Sequence, residues 1–343
     1  MSEQLRFPAE WEPQSAVLLA WPHEGTDWAE RLDSVETTYI ALIAAIARFQ
    51  IAVVCVRDAA LQAHASRLLQ QAGVDPARLR FAHVPYNDTW LRDSGPVTLR
   101  DGQEFRLLDF HFTAWGGKFE ATLDDRIVST LHDAGMFQQA RRQRIDFALE
   151  GGAIETDGEG TLLSTWRCLH ERHPALTRDE VTGFLQEKLH QERTLWLDHG
   201  YLEGDDTDAH IDTLARFAAP DAIVYQGCDR PGDRHYQELQ AMARELAAFR
   251  TRQGQAYRLF ELPWAQPILD GDRRLAASYA NFLIVNGAVL MPAYGDPADA
   301  QAMAVLAKAF PRHQIIAIPC RPLIWQNGSL HCLTMQLPEG LVR

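Results

Sequence analysis

The chain has 343 residues, of which 46% are hydrophobic and 23% are charged, as is usual for a globular protein with a sizeable core. Its 33 basic and 46 acidic side chains give a formal net charge of −13, which disfavours nucleic acids and anionic membrane surfaces as partners. The five cysteines are scattered without a CxxC pair, which argues for reduced thiols and against a disulfide framework or a cysteine zinc site.

The N-terminal segment 1–6 has no basic stretch followed by an apolar core, so we expect no signal peptide and a cytoplasmic location. No apolar run approaches the length of a bilayer span, so we expect no membrane association. Apolar periodicity in the first half of the chain predicts helices after Ser34 and Thr177, each with a capping residue. The predicted strands are 15–21, 51–56, 80–84, 97–100, 105–112, 145–149 and 161–166, and the predicted helices are 34–49, 60–72 and 177–190.

The second half of the chain continues the same alternation. Its predicted strands are 194–197, 210–217, 222–226, 257–261, 279–285, 288–291, 314–318 and 330–336, and its predicted helices are 233–249 and 299–310. The chain therefore repeats one order of elements, which is two strands, a helix and a third strand. No matching residues recur at a fixed period, so this is a repeat of element order and not of sequence. Because no linker or shift in composition interrupts it, we predict one closed α/β domain over residues 1–343, with polar segments converging from separate units.

The segment from Asp205 to Asp212 holds four carboxylates and one imidazole, directly before an apolar run. If the chain is extended here, His210 and Asp212 point to the same side, as a proton shuttle beside a bound cation requires. A solvated acidic loop explains the same composition. A further interpretation is a divalent metal site formed by Asp206, Asp208, His210 and Asp212, although no second histidine cluster in the sequence supports it.

Cys332 lies at the start of the last predicted strand, after small and polar residues and next to His331. A thiolate is the strongest nucleophile that a protein has near neutral pH, provided that its pKa is lowered. Free cysteine is also among the most buried residue types and is usually inert, which is the interpretation we prefer for Cys55. Cys332 is therefore a candidate nucleophile, with plain core packing as the alternative.

Three further segments place polar or aromatic side chains beside turns. Trp90 and Asp93 combine an aromatic face with a carboxylate, which suits a planar cation, although a surface pair of Arg92 with Asp93 fits equally well. Glu150 ends a buried strand before a glycine pair and is therefore a suspected functional acid. Trp115-Gly116-Gly117-Lys118 is either a loop that closes over a ligand or a simple turn.

Several common signatures are absent from the sequence. Pro319-Cys320-Arg321-Pro322 lacks the second cysteine of a zinc nucleobase deaminase, and His170-Glu171-Arg172-His173 is one residue too short for HExxH. The chain also has no dinucleotide-binding glycine loop and no GxSxG elbow.

Taken together, these segments resemble the agmatine deiminase family, which is grouped with bacterial-type peptidylarginine deiminases in the pentein superfamily of guanidine-modifying enzymes. The resemblance spans nearly the whole chain in the expected order. Its motifs are Pro8-Ala9-Glu10-Trp11-Glu12-Pro13, Trp21-Pro22, Asn87-Asp88-x-Trp90-x-Arg92-Asp93-x-Gly95-Pro96, Ala114-Trp115-Gly116-Gly117-Lys118, Glu150-Gly151-Gly152, residues 205–212, Ala277-Ser278-Tyr279-x-Asn281-Phe282 and Leu330-His331-Cys332-Leu333-Thr334-x-Gln336.

The resemblance implies a five-bladed α/β propeller with the site at its centre, and it implies roles for five side chains. Cys332 would attack the guanidinium carbon, and His210 would protonate the departing ammonia and then activate water. Asp93 and Asp212 would hold the guanidinium nitrogens, with Glu150 assisting. Such chemistry makes physical sense because two carboxylates can fix a planar cation beside a thiolate, and it requires no metal or organic cofactor.

The sequence departs from the family pattern in segments that could shape the far end of a substrate. Residues 165–174 are shortened, Gln326-Asn327-Gly328 replaces a glycine triplet, and Ala209 stands where glycine is frequent. These departures weaken the choice of agmatine more than the choice of deimination. For the amine of agmatine, Asp206 or Glu203 is the predicted counter-charge.

The activity that we favour is hydrolysis of agmatine, a small cationic guanidine, to N-carbamoylputrescine and ammonia. The alternatives are a deiminase of free or peptidyl arginine, an amidinotransferase, and a propeller that binds a cation without catalysis. The sequence leaves the oligomeric state open, a homo-oligomer included.

Overall fold

The structure is a computed structural model that describes residues 5–102 and 104–343, so most of the segment inspected for a signal peptide lies outside the described residues. The strands are β1 (Gln14–Ala20), β2 (Ile51–Val56), β3 (Leu79–His83), β4 (Val97–Asp101), β5 (Glu104–His111), β6 (Ala140–Ala148), β7 (Ile154–Thr156), β8 (Thr161–Thr165), β9 (Arg193–Leu197), β10 (Ala215–Ala219), β11 (Ala222–Gln226), β12 (Arg258–Leu262), β13 (Leu269–Asp270), β14 (Arg273–Arg274), β15 (Leu283–Val285), β16 (Ala288–Ala293), β17 (Gln314–Pro319) and β18 (Met335–Pro338).

The helices are α1 (Leu32–Ala47), α2 (Ala59–Gln71), α3 (Leu91–Ser94), α4 (Ala114–Gly117), α5 (Ile127–Asp133), α6 (Trp166–Arg172), α7 (Arg178–Leu189), α8 (Tyr236–Ala248) and α9 (Asp299–Ala309). Short 3₁₀ turns join several of them to the strands. Among the described residues, no helix combines the length and the apolarity that crossing a bilayer would take.

The strands of the described residues form five sheets of three or four strands, together with the β13–β14 hairpin. Four sheets repeat one pattern: two antiparallel strands come first, and a third strand then joins parallel to the second after a helical crossover. A parallel neighbour needs such a crossover because a tight turn can join only antiparallel strands. The predicted order of elements is therefore confirmed. No sheet within the described residues closes on itself. The predicted propeller does not require a closed sheet.

The fifth sheet joins the two ends of the described chain in the strand order β18-β1-β2-β3. Strand β18 pairs antiparallel with β1, while β1, β2 and β3 run parallel. The inner strands of the sheets, such as β2, β8 and β16, are almost wholly buried. A strand that is covered on both faces tends to be a continuous apolar run, as β2 and β16 are, which is why these two segments could be predicted from the sequence.

The two helix caps predicted from the sequence have different outcomes. The predicted cap on α7 is confirmed, with Thr177 and Glu180 forming a capping box. The prediction for Ser34 was wrong, because α1 begins at Leu32 and the Ser34 hydroxyl donates to the carbonyl of Arg31. Helices α5 and α6 were not predicted.

Both segments that hold the candidate imidazole and thiol were wrongly predicted as strands from their first residue. Ile211–Thr213 and His331–Leu333 are 3₁₀ turns, and the strands begin only at Ala215 and Met335. In each turn a threonine hydroxyl donates to a nearby carbonyl, Thr213 to His210 at 2.9 Å and Thr334 to His331 at 3.0 Å. Such local bonds compete with a strand ladder.

Candidate active site

The acidic segment 205–212 folds into a tight loop around its first carboxylate. Asp205 accepts hydrogen bonds from the backbone N–H groups of Thr207 at 3.0 Å and Ala209 at 2.9 Å. Asp208 and Ala209 have φ values of +67° and +73°, in the left-handed region that favours glycine. The loop thus delivers His210 and Asp212 into the interior, where both are fully buried, so the segment is not a solvated loop.

His210 lies between two buried carboxylates. Its Nδ1 is 3.7 Å from Asp93 Oδ1, and its Nε2 is 3.6 Å from Glu150 Oε2. Among the residues that the structure describes, neither ring nitrogen has a hydrogen-bond partner, and neither does Glu150 Oε2. Buried polar atoms without partners are rare in proteins and point to a site that binds something.

The glycine pair after Glu150 is a place of close approach and not a flexible hinge. A Cβ atom on Gly152 would lie 2.6 Å from His210 Nδ1 and 2.8 Å from Asp93 Oδ1. Without a side chain, Gly152 donates its N–H to Asp93 Oδ1 at 2.9 Å. Glycine is therefore required for His210, Glu150 and Asp93 to meet.

Arg172, from the shortened segment 165–174, supplies a cation that sequence reasoning missed. Its side chain is 1% exposed and donates to Glu150 Oε1 from Nε and to Asp208 Oδ2 from Nη1, both at 2.7 Å. It also donates to the carbonyl of Thr207 at 3.0 Å. Arg172 thereby ties the loop of the acidic segment to the carboxylate of Glu150.

The thiol of Cys332 faces a carboxylate and an amide. Its Sγ lies 3.6 Å from Asp212 Oδ2, and Asn281 Nδ2 donates to the sulfur at 3.2 Å. Asn281 Oδ1 accepts from the backbone N–H of His331 at 2.9 Å, which fixes the amide in place. Asn281 stood in a recognised motif, but its type and spacing gave no reason to assign it a role.

A cavity of 410 Å³ reaches the sulfur from the surface. Five of the predicted site residues line it: Trp90, Asp93, Trp115, Asp206 and Cys332. Glu150, His210 and Asp212 lie behind that wall: His210 contacts Asp93, Asp212 contacts Cys332, and Glu150 contacts His210.

Two further residues predicted to bind the substrate, Gly116 and Glu203, are also not part of the cavity lining. Gly116 lies in the turn beside the cavity, where its backbone N–H donates to the hydroxyl of Thr113. Glu203, the alternative counter-charge for a substrate amine, pairs instead with Arg234 at 2.7 Å. Asp206 is therefore the better placed of the two predicted acids.

Helix α4 is a strained turn that brings an indole onto Asp93. Ala114, Trp115 and Gly116 have φ values of +48°, +58° and +89°, and a left-handed conformation costs a non-glycine residue roughly 1–2 kcal/mol. This strained turn places the indole so that Trp115 Nε1 donates to Asp93 Oδ2 at 2.9 Å. Phe119 packs edge-on against Trp115 and is 47% exposed at the cavity mouth.

Burial and neighbouring charges set the protonation of the site. Burial, together with Asp212 and Glu150, raises the pKa of Asp93 to about 6 against the opposing charge of His210. Although burial opposes it, Asp93, Cys168 and Glu150 hold the pKa of His210 well above its ordinary value. Burial, with Asp212 and Asp93, raises the pKa of the Cys332 thiol well above its usual range. At neutral pH these directions correspond to a neutral thiol at Cys332 and an imidazolium at His210.

Alkylation of Cys332 in the ligand-free protein should therefore be slow at neutral pH and should still be accelerating above pH 9. A raised pKa keeps the sulfur protonated across the neutral range, and only the thiolate reacts with iodoacetamide. The rate is measured by mass spectrometry of the peptide that contains Cys332, between pH 6 and 10. A plateau below pH 8 would show that the free protein already holds a thiolate.

A metal ion is the other ligand that such a group of donors suggests. Among the described residues, Glu150, Cys168 and His210 offer oxygen, sulfur and nitrogen atoms within 4.8 Å of one another. The predicted alternative cluster of Asp206, Asp208, His210 and Asp212 does not come together as a metal site. The guanidinium of Arg172, which donates to Glu150 at 2.7 Å, places a positive charge beside these donors, and that charge disfavours a metal cation.

Comparison with known proteins gives matches over almost the whole chain. The family model of Porphyromonas-type peptidyl-arginine deiminases matches residues 6–338. An agmatine deiminase of Stutzerimonas stutzeri is 34% identical, over 98% of this chain and 96% of that protein. A putative arginine deiminase from Porphyromonas gingivalis has a similar structure, with 45% identity, a TM-score of 0.91, and coverage of 99% of this chain and 100% of that one. A substrate-bound agmatine deiminase of C. jejuni is 33% identical with a TM-score of 0.90, covering 98% of this chain and 97% of that one.

Proposed function

The chain belongs to the Porphyromonas-type peptidyl-arginine deiminase family, and from that premise we propose that it hydrolyses a guanidino substrate to a ureido product and ammonia. The substrate that we favour is agmatine, which would give N-carbamoylputrescine. One observation carries the proposal: the sulfur of Cys332 and the carboxylate of Asp93 line the same cavity, with Asp212 3.6 Å from that sulfur. This arrangement suits attack on a guanidinium carbon, because the acids can bind the planar cation while the nucleophile faces its carbon.

Binding would begin with the two acids. Asp212 Oδ1 is buried without a partner, and Asp93 lines the cavity wall, so the two carboxylates can accept hydrogen bonds from guanidinium nitrogens. A cation fixed between them would offset the negative charge that raises the pKa of the Cys332 thiol. Substrate binding would in this way favour the thiolate that attacks it.

The first half-reaction breaks a C–N bond. The thiolate of Cys332 adds to the guanidinium carbon, and the His210 imidazolium gives its proton to a nitrogen of the tetrahedral adduct. That nitrogen leaves as ammonia, and a positively charged S-alkylthiouronium remains bound to the sulfur. Glu150, 3.6 Å from His210 Nε2, stabilises the imidazolium before the proton is transferred.

The second half-reaction adds water. Neutral His210 takes a proton from a water molecule as its oxygen adds to the same carbon. As this adduct collapses, its C–S bond breaks and its hydroxyl loses a proton to the released ammonia, so the ureido product leaves with a C=O bond and Cys332 returns as a thiolate. One guanidinium and one water are thereby converted into a urea derivative and ammonium.

The finer description of the fold belongs to this proposal. The five sheets, with their shared pattern of an antiparallel and a parallel pair, support a five-bladed α/β propeller in a single domain of residues 1–343. The site residues would then come from separate blades and meet at the centre of the propeller. The spread of Asp93, Glu150, His210 and Cys332 along the chain fits that arrangement.

The charge around the cavity favours an amine over a carboxylate at the far end of the substrate. Acidic side chains on the cavity lining are Asp27, Asp88, Asp93, Glu120, Asp124 and Asp206. Arg273 is the basic residue among the described lining residues, and its guanidinium already donates to Asn327 Oδ1 at 2.8 Å and to the carbonyl of Trp325. Agmatine ends in an ammonium group, whereas arginine carries a carboxylate that this lining would repel.

Asp206 is the acid that we expect to hold that ammonium, and Asp206→Asn should raise the KM for agmatine about tenfold with a small change in kcat. One charge pair in a partly buried setting contributes on the order of 1–2 kcal/mol. The measurement is steady-state ammonia release with agmatine and with butylguanidine, which lacks the amine. Butylguanidine should be turned over equally by both proteins, and Glu203→Gln, away from the cavity lining and paired with Arg234, should leave the turnover of both substrates unaffected.

The proposed function is tested by ammonia release from agmatine, arginine, a blocked arginine peptide and butylguanidine. We expect the largest kcat/KM for agmatine. A preference for arginine or for the peptide would make the protein an arginine deiminase. Binding without ammonia from any of them would leave a cation-binding protein, and a product that forms only when an acceptor amine is added would indicate an amidinotransferase.

A further inference from the structure

A cluster of buried charges lies behind the reacting groups and includes side chains to which the mechanism gives no role. Glu10 is 5% exposed, Arg216 is fully buried, and His331 is 1% exposed. Burial of so many charged groups is costly unless each is paired and hydrogen-bonded. The partners of His331 connect this cluster to the reaction centre.

Both ring nitrogens of His331 face carboxylate oxygens. Nδ1 lies 2.7 Å from Asp212 Oδ2, and Nε2 lies 2.8 Å from Glu10 Oε2. Burial, with the charges of Arg216 and Arg92, lowers the pKa of His331, and the carboxylates of Glu10 and Asp212 oppose that shift. Because both oxygens belong to ionised acids, both contacts are favourable only when both nitrogens carry a proton, and the two short contacts are the reason to assign a proton to each. The backbone N–H of His331 also donates to Asn281 Oδ1 at 2.9 Å, so the residue is fixed at three points.

Glu10 is itself fixed from the opposite side. Its Oε2 also accepts from Arg216 Nη2, and its Oε1 accepts from the backbone N–H of Ile284, both at 2.8 Å. Arg216 is in turn bonded to Glu155 at 2.7 Å and to the carbonyl of Phe282 at 2.7 Å. Although burial opposes it, Arg216 and His331 hold the pKa of Glu10 well below its usual range. Glu10 is therefore a fixed, ionised acceptor for His331.

Among the described residues, these contacts leave Asp212 with one carboxylate oxygen hydrogen-bonded and the other without a hydrogen-bond partner. Oδ2 is held by His331 and lies 3.6 Å from the Cys332 sulfur, while Oδ1 is buried without a partner. A carboxylate that is held by one oxygen cannot rotate freely about its terminal bond. The free oxygen is thus kept in one direction.

We propose that His331 is a positioning residue for the deiminase reaction: by donating from Nδ1 to Asp212, while Glu10 holds Nε2, it aims the free oxygen of Asp212 at the guanidinium. This inference rests on the proposed function and assigns roles in it to His331 and Glu10. His331 touches no reacting atom. Its effect passes through Asp212, whose orientation fixes the plane of the substrate and therefore the approach of the sulfur.

Two substitutions of His331 separate this role from a purely structural one. In His331→Asn the amide nitrogen can take the place of Nδ1 and still donate to Asp212, whereas in His331→Gln it can take the place of Nε2 and reach only Glu10. We expect His331→Gln to lower kcat/KM about 100-fold, as a misplacement of about 1 Å at a reaction centre does. His331→Asn should stay within about tenfold of the wild type.

The pH profile provides the second readout. The positively charged groups that face Asp212 are His331, His210, Arg216 and Arg92, with the Cys332 thiol and the Asp93 carboxylate opposing them. Although burial opposes it, His331 lowers the pKa of Asp212 through its hydrogen bond and its charge, so the loss of His331 raises that pKa. Activity requires ionised Asp212, so the acid limb of kcat/KM should move to higher pH in both variants, and further in His331→Gln than in His331→Asn, which keeps a donor on Asp212 but not the charge.

The inference fails if the two variants lose activity equally, or if both keep the wild-type acid limb. Thermal unfolding of each variant establishes that it is folded. Should His331→Gln not fold, Glu10→Gln decides in its place, with about a tenfold loss and the same shift of the acid limb expected, and an unshifted profile counting against the inference. A wild-type protein that releases no ammonia from any guanidine defeats the proposed function instead.

Discussion

Replacing Cys332 with alanine should reduce ammonia release from agmatine by at least about 10⁴-fold, since loss of a nucleophile leaves only the catalysis that binding and electrostatics supply. The substitution removes one sulfur atom from a residue that is 5% exposed at the cavity end, so the fold should survive. Substrate binding should survive as well, because Asp93 and Asp212 remain. The measurements are single-turnover ammonia release and equilibrium binding of agmatine.

The matched control is Cys55→Ala, which removes a buried thiol from strand β2, in the core and not on the cavity lining. Burial raises the pKa of Cys55 to about 12, so this thiol is not a nucleophile at neutral pH. The control should lose about 1–2 kcal/mol of unfolding free energy and keep its kcat. Turnover by Cys332→Ala above one per cent of the wild type would exclude a covalent intermediate on this sulfur.

His210→Gln should lower kcat about 10³-fold, because in the proposed mechanism one imidazole serves both half-reactions. General acid–base catalysis contributes roughly 10²–10⁴-fold, and in that mechanism the same ring gives a proton to the leaving nitrogen and then takes one from water. Glutamine keeps much of the volume and some hydrogen-bonding capacity but cannot carry a proton between steps. Steady-state kinetics with agmatine gives the loss in kcat.

His199→Gln is the control for this substitution, because His199 is an exposed residue that contacts Glu238 and Glu245 away from the cavity. Its kcat should be unchanged. The fold of His210→Gln requires its own check by thermal unfolding, since His210 offsets the charges of Asp93 and Glu150 in the interior. A folded His210→Gln protein that retained a tenth of the wild-type kcat would remove His210 from the mechanism.

The regular part of the fold was predictable because burial imposes simple patterns on it. Strands β2 and β16 are continuous apolar runs since both faces are covered, and α7 carries its capping box in the sequence. The boundaries near the site were not predictable by the same means. At His210 and Cys332, hydroxyl-to-carbonyl bonds within a turn replace the strand ladder, and those bonds depend on backbone geometry that periodicity does not encode.

The candidate site was predictable to the extent that its residues stand in recognisable motifs. Asp93, Glu150, His210, Asp212 and Cys332 do lie together in the structure, and their roles remain predictions. Side chains that act through other side chains were missed, because a residue type alone does not reveal its partner. The residues missed in this way are Arg172, Asn281 and His331, together with Glu10 behind them.

The pairing of β18 with β1 bears on how the protein is made in a cell. Cys332 directly precedes the strand that joins this sheet, whereas His210 and the acids are translated long before it. On the proposed mechanism, a nascent chain that ends before Cys332 already contains His210 and the acids but lacks the sulfur that would attack the guanidinium. We therefore expect a ribosome-stalled chain of this kind to release no ammonia from agmatine.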